Sequence, residues 1–256
     1  LPIFIIAVVF VISELVCVAC VPERPVACDE KPGKISDMFK ALFKNDQAMT
    51  VVVSIILVYT SLNICGNLVL YFFRFDVGNE GAYSIFAAVA FAAQVLVMMV
   101  IPLLRKRFSK SQLFISGFII QIAGFAVILI MAFAKLYTPQ SWYILCLPGI
   151  LIYLGYGMLN VIMTIFLSDS VDYGEVMNGT REESVIFSMQ TFTVKLASGV
   201  AVFLAGLVVD WIHLDTAAAV QTQDTLDALR MWMTIPSVIL LIVGIFVFKR
   251  FYKLDD

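Results

Sequence analysis

Seven apolar runs alternate with short polar stretches along the chain, at roughly residues 1–20, 50–73, 83–104, 113–134, 142–167, 184–211 and 231–249. A helix needs about 20 apolar residues to cross a bilayer, at about 1.5 Å per residue. The pattern therefore predicts an all-α integral membrane protein with about seven transmembrane helices. One polar stretch has a period of its own. In ISDMFKALFKND, Ile35, Met38, Phe39, Leu42 and Phe43 recur at helical spacing with lysines between them, which predicts a short amphipathic helix on the membrane surface. Three segments follow from this: a transmembrane helix at 1–20, a connecting loop at 21–48, and a six-helix bundle over 49–256.

One run breaks the pattern. SVIFSMQTFTVKLASGVAVFLAGLVV, residues 184–209, carries Lys195 near its middle. An ammonium at that depth costs at least about 2.5–3.5 kcal/mol. Ser184, Ser188, Thr191, Lys195 and Ser198 follow one another at spacings of three and four, so a helix gathers them into one polar stripe. Ile186, Val194, Leu196, Val200 and Ala201 occupy the opposite side, fit for lipid or packing, and Gln190 flanks the stripe. A lysine that only snorkelled to the interface would not require hydroxyls in line with it. The stripe predicts a helix face that looks into a wet cavity, with the lysine at its centre. That lysine needs a counter-charge, yet no Asp or Glu occurs from Gly81 through Ser168. The partner is Glu14, in the first run, or a carboxylate beyond this sequence.

Composition supports the membrane reading: 61% of the 256 residues are hydrophobic, 14% are charged and the mean hydropathy is +0.97, well outside the range of soluble domains. The basic residues are unevenly placed. Arg24, Lys31, Lys34, Lys40, Lys44, Arg105, Lys106, Arg107, Lys110, Arg181, Lys249, Arg250 and Lys253 fall on one side if the spans alternate, against Arg74, Lys135 and Arg230 on the other. The positive-inside rule puts the first group in the cytoplasm. The expectation is a multi-pass protein of the inner or plasma membrane with its central loop and C-terminus cytoplasmic. No basic face is available to follow a phosphate backbone, so nucleic acid is not an expected partner. Cys17 and Cys20 form a C-x-x-C, but no second pair or histidine stands near them; they read as apolar fillers rather than a metal site. Gly149, Gly155 and Gly157, and Ser198, Gly199 and Gly206, read as places of close helix approach. Leu1 lies inside an apolar run without an initiator Met, and the chain reads as a fragment.

A second cluster, SDSVDYGEVMNGTREES, sets Asp169, Asp172, Glu175, Glu182 and Glu183 on the same side as the basic RKRFSK of residues 105–110. Charge alone fits a solvated loop. It also fits a contact with Arg105 and Arg107 that holds helix ends together in one state and releases them in another.

The whole run SDSVDYGEVMNGTREESVIFSMQTFTVKLASGVA resembles the signature of the glycoside–pentoside–hexuronide:cation symporters, the melibiose permease family of the major facilitator superfamily. That signature is a D-x-x-D-Y-G-E, a G-x-R, and then a helix with Q-T and a lysine four residues after the Thr. Here it is carried by Asp169, Asp172, Tyr173, Gly174 and Glu175, then Gly179 and Arg181, then Gln190, Thr191 and Lys195. KALFKND and LVLYFFRF resemble the two ends of the family's seventh helix. The resemblance implies the sixth to twelfth helices of a twelve-helix transporter, completed by an N-terminal half. It further implies symport of a sugar or glycoside with sodium or a proton, and no other cofactor. Lys195 would sit beside the cation and sugar, Gln190 and Thr191 would line the cavity with Ser188, and Asp169, Asp172, Arg181, Arg105 and Arg107 would form the cytoplasmic gate. Where the best-known member has a tryptophan in its tenth helix this chain has Asn160, so Tyr156 is the candidate aromatic surface for the sugar. A seven-helix receptor or a retinal-type protein is the alternative. The first lacks its bundle disulfide here, and the second lacks a carboxylate counter-ion in the neighbouring spans. No nucleophile–base pair or metal cluster suggests an enzyme.

Overall fold

The computed structural model describes residues 2–20, 43–178, 183–218 and 220–254, and their regular structure is entirely helical. The chain divides into two units, Leu1–Asp37 and Met38–Asp256. The first contributes α1 (Pro2–Cys20), 19 residues long and apolar except for Ser13 and Glu14. That length rises about 28 Å, and its apolar part, Phe4–Cys20, is shorter than the other spans. Most of the amphipathic segment expected at residues 35–43 lies outside the described residues, as do Cys28 and Arg181.

The second unit holds α2 (Asp46–Tyr71), α3 (Ala82–Leu104), α4 (Lys110–Phe133), α5 (Cys146–Asn178), α6 (Glu183–Trp211) and α7 (Gln223–Phe251). Among the described residues these are the six helices long and apolar enough to cross a membrane. A π-helical turn, Phe72–Asp76, continues α2, and a 3-10 turn, Trp142–Leu145, leads into α5. Side chains fix where the helices start. Asn45 caps α2 by accepting from Ala48 N at 2.9 Å, and Thr222 caps α7 through Thr225 N. Ser109 and Gln112 make a reciprocal capping box at α4.

Helix α2 packs against α7, α6 and α5, while α5 packs against α4, α3 and α2. Phe72, Phe114, Phe118, Phe125 and Phe166 fill the interior and are fully buried. The closest helix approach is α4 on α5. A Cβ on Gly155 would lie 2.6 Å from both Gln121 N and Gly117 O, so here backbone meets backbone. Gly149 and Gly157 are closely met as well, by Phe86 and by Val97 and Gln94. The expectation of close approach fails for the small residues of α6: nothing lies within 4 Å of a Cβ built on Gly199 or Gly206. The packing face of α6 is instead Ile186, Met189, Thr193, Ala197, Ala201, Ala205 and Val208, where alanines serve the purpose. Leu196 and Val200, expected opposite the polar stripe, are exposed, because the buried arc of α6 is narrow.

Candidate functional site

Three polar assemblies stand out, one at mid-depth and one at each end of the bundle. The mid-depth group begins on α6. Ser184, Ser188, Thr191 and Lys195 are exposed and Ser198 partly so, on the side of the helix away from its packing face; Gln190 is half-buried. Ser188 and Thr191 donate to the carbonyls of Ser184 and Phe187, at 2.6 and 3.3 Å. The stripe is therefore pre-satisfied by its own backbone, and the hydroxyl lone pairs remain available outward. Within the six-helix unit, Lys195 makes no ion pair among the described residues.

On α5 the expected pair meets α2. Asn160 Nδ2 donates to the Tyr59 hydroxyl at 2.6 Å. Tyr59 packs edge-on against Tyr156 with ring centroids 5.5 Å apart, and Tyr153 follows at 6.4 Å from Tyr156. Tyr156 is almost fully buried while Asn160 is half-buried, so the aromatic surface offered outward is shared with Tyr59 and Tyr153. The structure thus joins Tyr156, Asn160 and Tyr59, and leaves Lys195, Thr191 and Ser188 on a separate helix face. Tyr59 was not singled out in the sequence; a lone tyrosine within an apolar run carries no signal until its neighbour across the helix interface is known.

At the end of the bundle that carries RKRFSK, Asp169 on α5 pairs with Lys110 Nζ at 2.8 Å. These two, with Asp172, Tyr173, Val176 and Leu254, line a cavity of about 370 Å³. Arg105 donates to Phe108 O at the end of α3, and Arg107 is exposed. Lys110 opens α4 and reaches Asp169 because Ser109 starts the helix there; Arg105 and Arg107 precede that start. Beneath this pair lies an amide knot. Asn45, 3% exposed, donates to Ser170 O at 2.8 Å. A Cβ on Gly174 would approach the Asn45 Nδ2 to 2.9 Å, so the glycine of DYG makes room for that amide. Gln47 accepts from Lys253 N at 2.8 Å and ties the C-terminal tail to α2.

The opposite end is held by charge. Arg230 of α7 reaches Asp76 through Nε at 2.8 Å and Nη2 at 2.5 Å, and Asp227 through Nη1 at 2.7 Å. The Tyr137 hydroxyl donates to Asp76 Oδ2 at 2.7 Å. Burial, then the adjacent Asp76 charge, push the Tyr137 phenol well above its usual value, so it keeps the proton it donates. In sequence Arg230 counted only as one of the few basic residues on its side. No group of His, Cys, Asp and Glu among the described residues is arranged to hold a metal ion.

A family model described as MFS/sugar transport protein matches residues 2–256. The chain is 25% identical to the uncharacterized symporter YjmB of Bacillus subtilis, covering 94% of this chain and 51% of that protein. It is 24% identical to the raffinose carrier protein of Pediococcus pentosaceus, over 83% of this chain and 33% of the carrier. It is also 24% identical to the isoprimeverose transporter of Lactiplantibacillus pentosus, over 98% of this chain and 51% of the transporter. The chain thus spans from about a third to about half of the length of these relatives.

Proposed function

This chain belongs to the MFS/sugar transport protein family, and from that premise we propose that it is the C-terminal part of a cation-coupled symporter for a sugar or glycoside. In such a fold two halves rock around a midplane site. Tyr156 and Asn160, with Thr191, Gln190 and Ser188, contribute one wall of that site, and the N-terminal half supplies the other. The central loop and C-terminus face the cytoplasm, as the basic asymmetry requires. Lys110 and Asp169, with Asp172, Arg105, Arg107 and the Arg181 of the sequence signature, form the cytoplasmic gate that closes the outward-open state. The names of the relatives, a raffinose carrier, an isoprimeverose transporter and putative sulfoquinovose importers among them, support a sugar or glycoside as the substrate.

The observation that carries this reading is Lys195: a cation halfway along a 29-residue span, on the face that the bundle leaves open. Its pairing carboxylates lie on the other half. A sodium ion or proton bound to those carboxylates competes with the ammonium for them, which couples the ion to the wall that holds the sugar. The test is gradient-driven sugar uptake by the complete transporter. Lys195→Ala abolishes sodium- or proton-driven accumulation while the protein still reaches the membrane. Lys195→Arg recovers little, because a planar guanidinium is not a compact point charge. Accumulation by Lys195→Ala at the wild-type level refutes the assignment.

A further inference from the structure

Helix α2 is the most covered of the spans, and its least covered stripe is a single face: Met49, Val53, Ile56, Tyr59, Asn63, Gly66, Asn67 and Leu70. That face is apolar at both ends and polar in the middle. Its centre has three unusual features. Asn63 Nδ2 donates to Tyr59 O at 2.7 Å, and Asn67 Nδ2 donates to Asn63 O at 2.7 Å. Only the NH₂ end of an amide can bond a carbonyl, so both side chains are fixed in orientation, with Oδ1 and the second N–H of each amide still unused. Among the described residues neither oxygen receives a hydrogen bond. Between them stands Gly66, and a Cβ there would meet nothing within 4 Å. Unlike Gly155, it is not needed for helix packing; it leaves an open notch beside the two oxygens.

From this geometry we propose that Asn63 and Asn67 form a subsite whose two Oδ1 atoms take two hydroxyl hydrogens of the sugar, with the notch at Gly66 admitting the ring edge. The inference rests on the reading of the chain as part of a sugar transporter and adds to it the polarity of one wall. Two acceptors one helical turn apart, about 5–6 Å, match a ligand that presents several O–H donors along one edge. They do not match an apolar ligand, which would leave both oxygens desolvated and unpaired. The arrangement also complements α6. Lys195 is a pure donor, suited to hydroxyl oxygens, whereas the α2 amides supply Oδ1 acceptors, suited to hydroxyl hydrogens. A hydroxyl is both at once, so the two helices read opposite ends of the same functional group. The Tyr59 hydroxyl, which already accepts from Asn160, anchors the inner end of the row.

The test uses the purified complete transporter. A panel of pentoses, hexoses and their di- and trisaccharides identifies the sugar it binds most tightly. Binding is then compared for that sugar and its monofluoro analogues, in which one hydroxyl becomes fluorine and loses its hydrogen while keeping a weak acceptor. Wild type disfavours the analogue at two ring positions, each by about tenfold, the factor expected for a buried acceptor left unpaired. Asn63→Ala weakens binding of the parent sugar by about tenfold and loses the discrimination at one of those positions; Asn67→Ala does so at the other. Alanine is the stronger helix former, so α2 persists in both variants. Asn63→Thr, whose hydroxyl can still donate to the carbonyl four residues back, weakens binding in the same way and separates the loss of the outward oxygen from the loss of the backbone bond. If the alanine variants keep the wild-type fluoro discrimination, the subsite is overturned while the transporter reading stands. If wild type binds no sugar in the panel, both are overturned.

Discussion

Asp76→Asn tests the charged end of the bundle with a change of one atom. The side chains of Arg230 and Asp76 are 3% and 4% exposed, and two N–H···O bonds join them. Removing one partner of a buried pair costs about 3–5 kcal/mol, because the other charge is left desolvated. Asp227 offsets part of this, since it still bonds Nη1 at 2.7 Å, but its side chain is 38% exposed and its attraction is screened. The lower limit, about 3 kcal/mol, is therefore the expected loss. At about 2–4 °C per kcal/mol, that corresponds to a fall of about 6–12 °C in melting temperature. The assay is thermal unfolding of the complete transporter in detergent, for wild type, Asp76→Asn, Arg230→Met and the double variant Asp76→Leu/Arg230→Met. The double variant melts above either single one, since neither charge is then buried alone. A single variant melting within about 1 °C of wild type refutes the reasoning, and so does a double variant that melts below both singles.

Two further outcomes follow from the same geometry. Gly155→Ala pushes a methyl into the α4 backbone 2.6 Å away, and the helices must separate; it lowers the melting temperature by more than Gly66→Ala, whose Cβ meets nothing, and equal effects would sink this explanation. Asp169→Asn removes the contact with Lys110 at 2.8 Å between part-buried side chains, worth about 1 kcal/mol; it slows uptake several-fold while equilibrium sugar binding stays within about twofold of wild type, and uptake at the wild-type rate would reduce the pair to a solvated contact.

How much of this was legible in the sequence depended on whether the bilayer or a neighbour dictates the feature. The bilayer dictates apolar length, and the runs at 83–104, 113–134 and 184–211 correspond closely to Ala82–Leu104, Lys110–Phe133 and Glu183–Trp211. Helix ends set by polar caps were read short. The sequence put the start of the last run at 231, whereas α7 begins at Gln223 because Thr222 caps it. Likewise α5 runs to Asn178, well past the apolar stretch that ends near residue 167, since helix continues wherever a packed or solvated face supports it. The α6 stripe was visible because its five residues share one helix. The Arg230–Asp76 contact was not, since 154 positions separate its partners. Asn63 and Asn67 were invisible for a different reason. Isolated amides in an apolar run look like noise until their NH₂ groups are found tied to the backbone.

The π-helical turn that ends α2 bears on how this helix can change length. Val77 N reaches back to Phe72 O and Asn79 N to Phe73 O, so the turn holds more chain per revolution than an α-helix. Such a turn absorbs a residue without rotating what lies on either side. Asp76 can therefore meet Arg230 while Asn63 and Asn67, about two and a half to three and a half turns earlier, keep their bearing on the open face. Insertions or deletions within Phe72–Asp76 become exchanges between π and α winding, a local cost. One residue gained or lost among positions 60–68, where no slack exists, turns one end of the helix by about 100° against the other. Length drift in descendants of this sequence is thereby channelled to the helix's outer end, and its middle is closed to it.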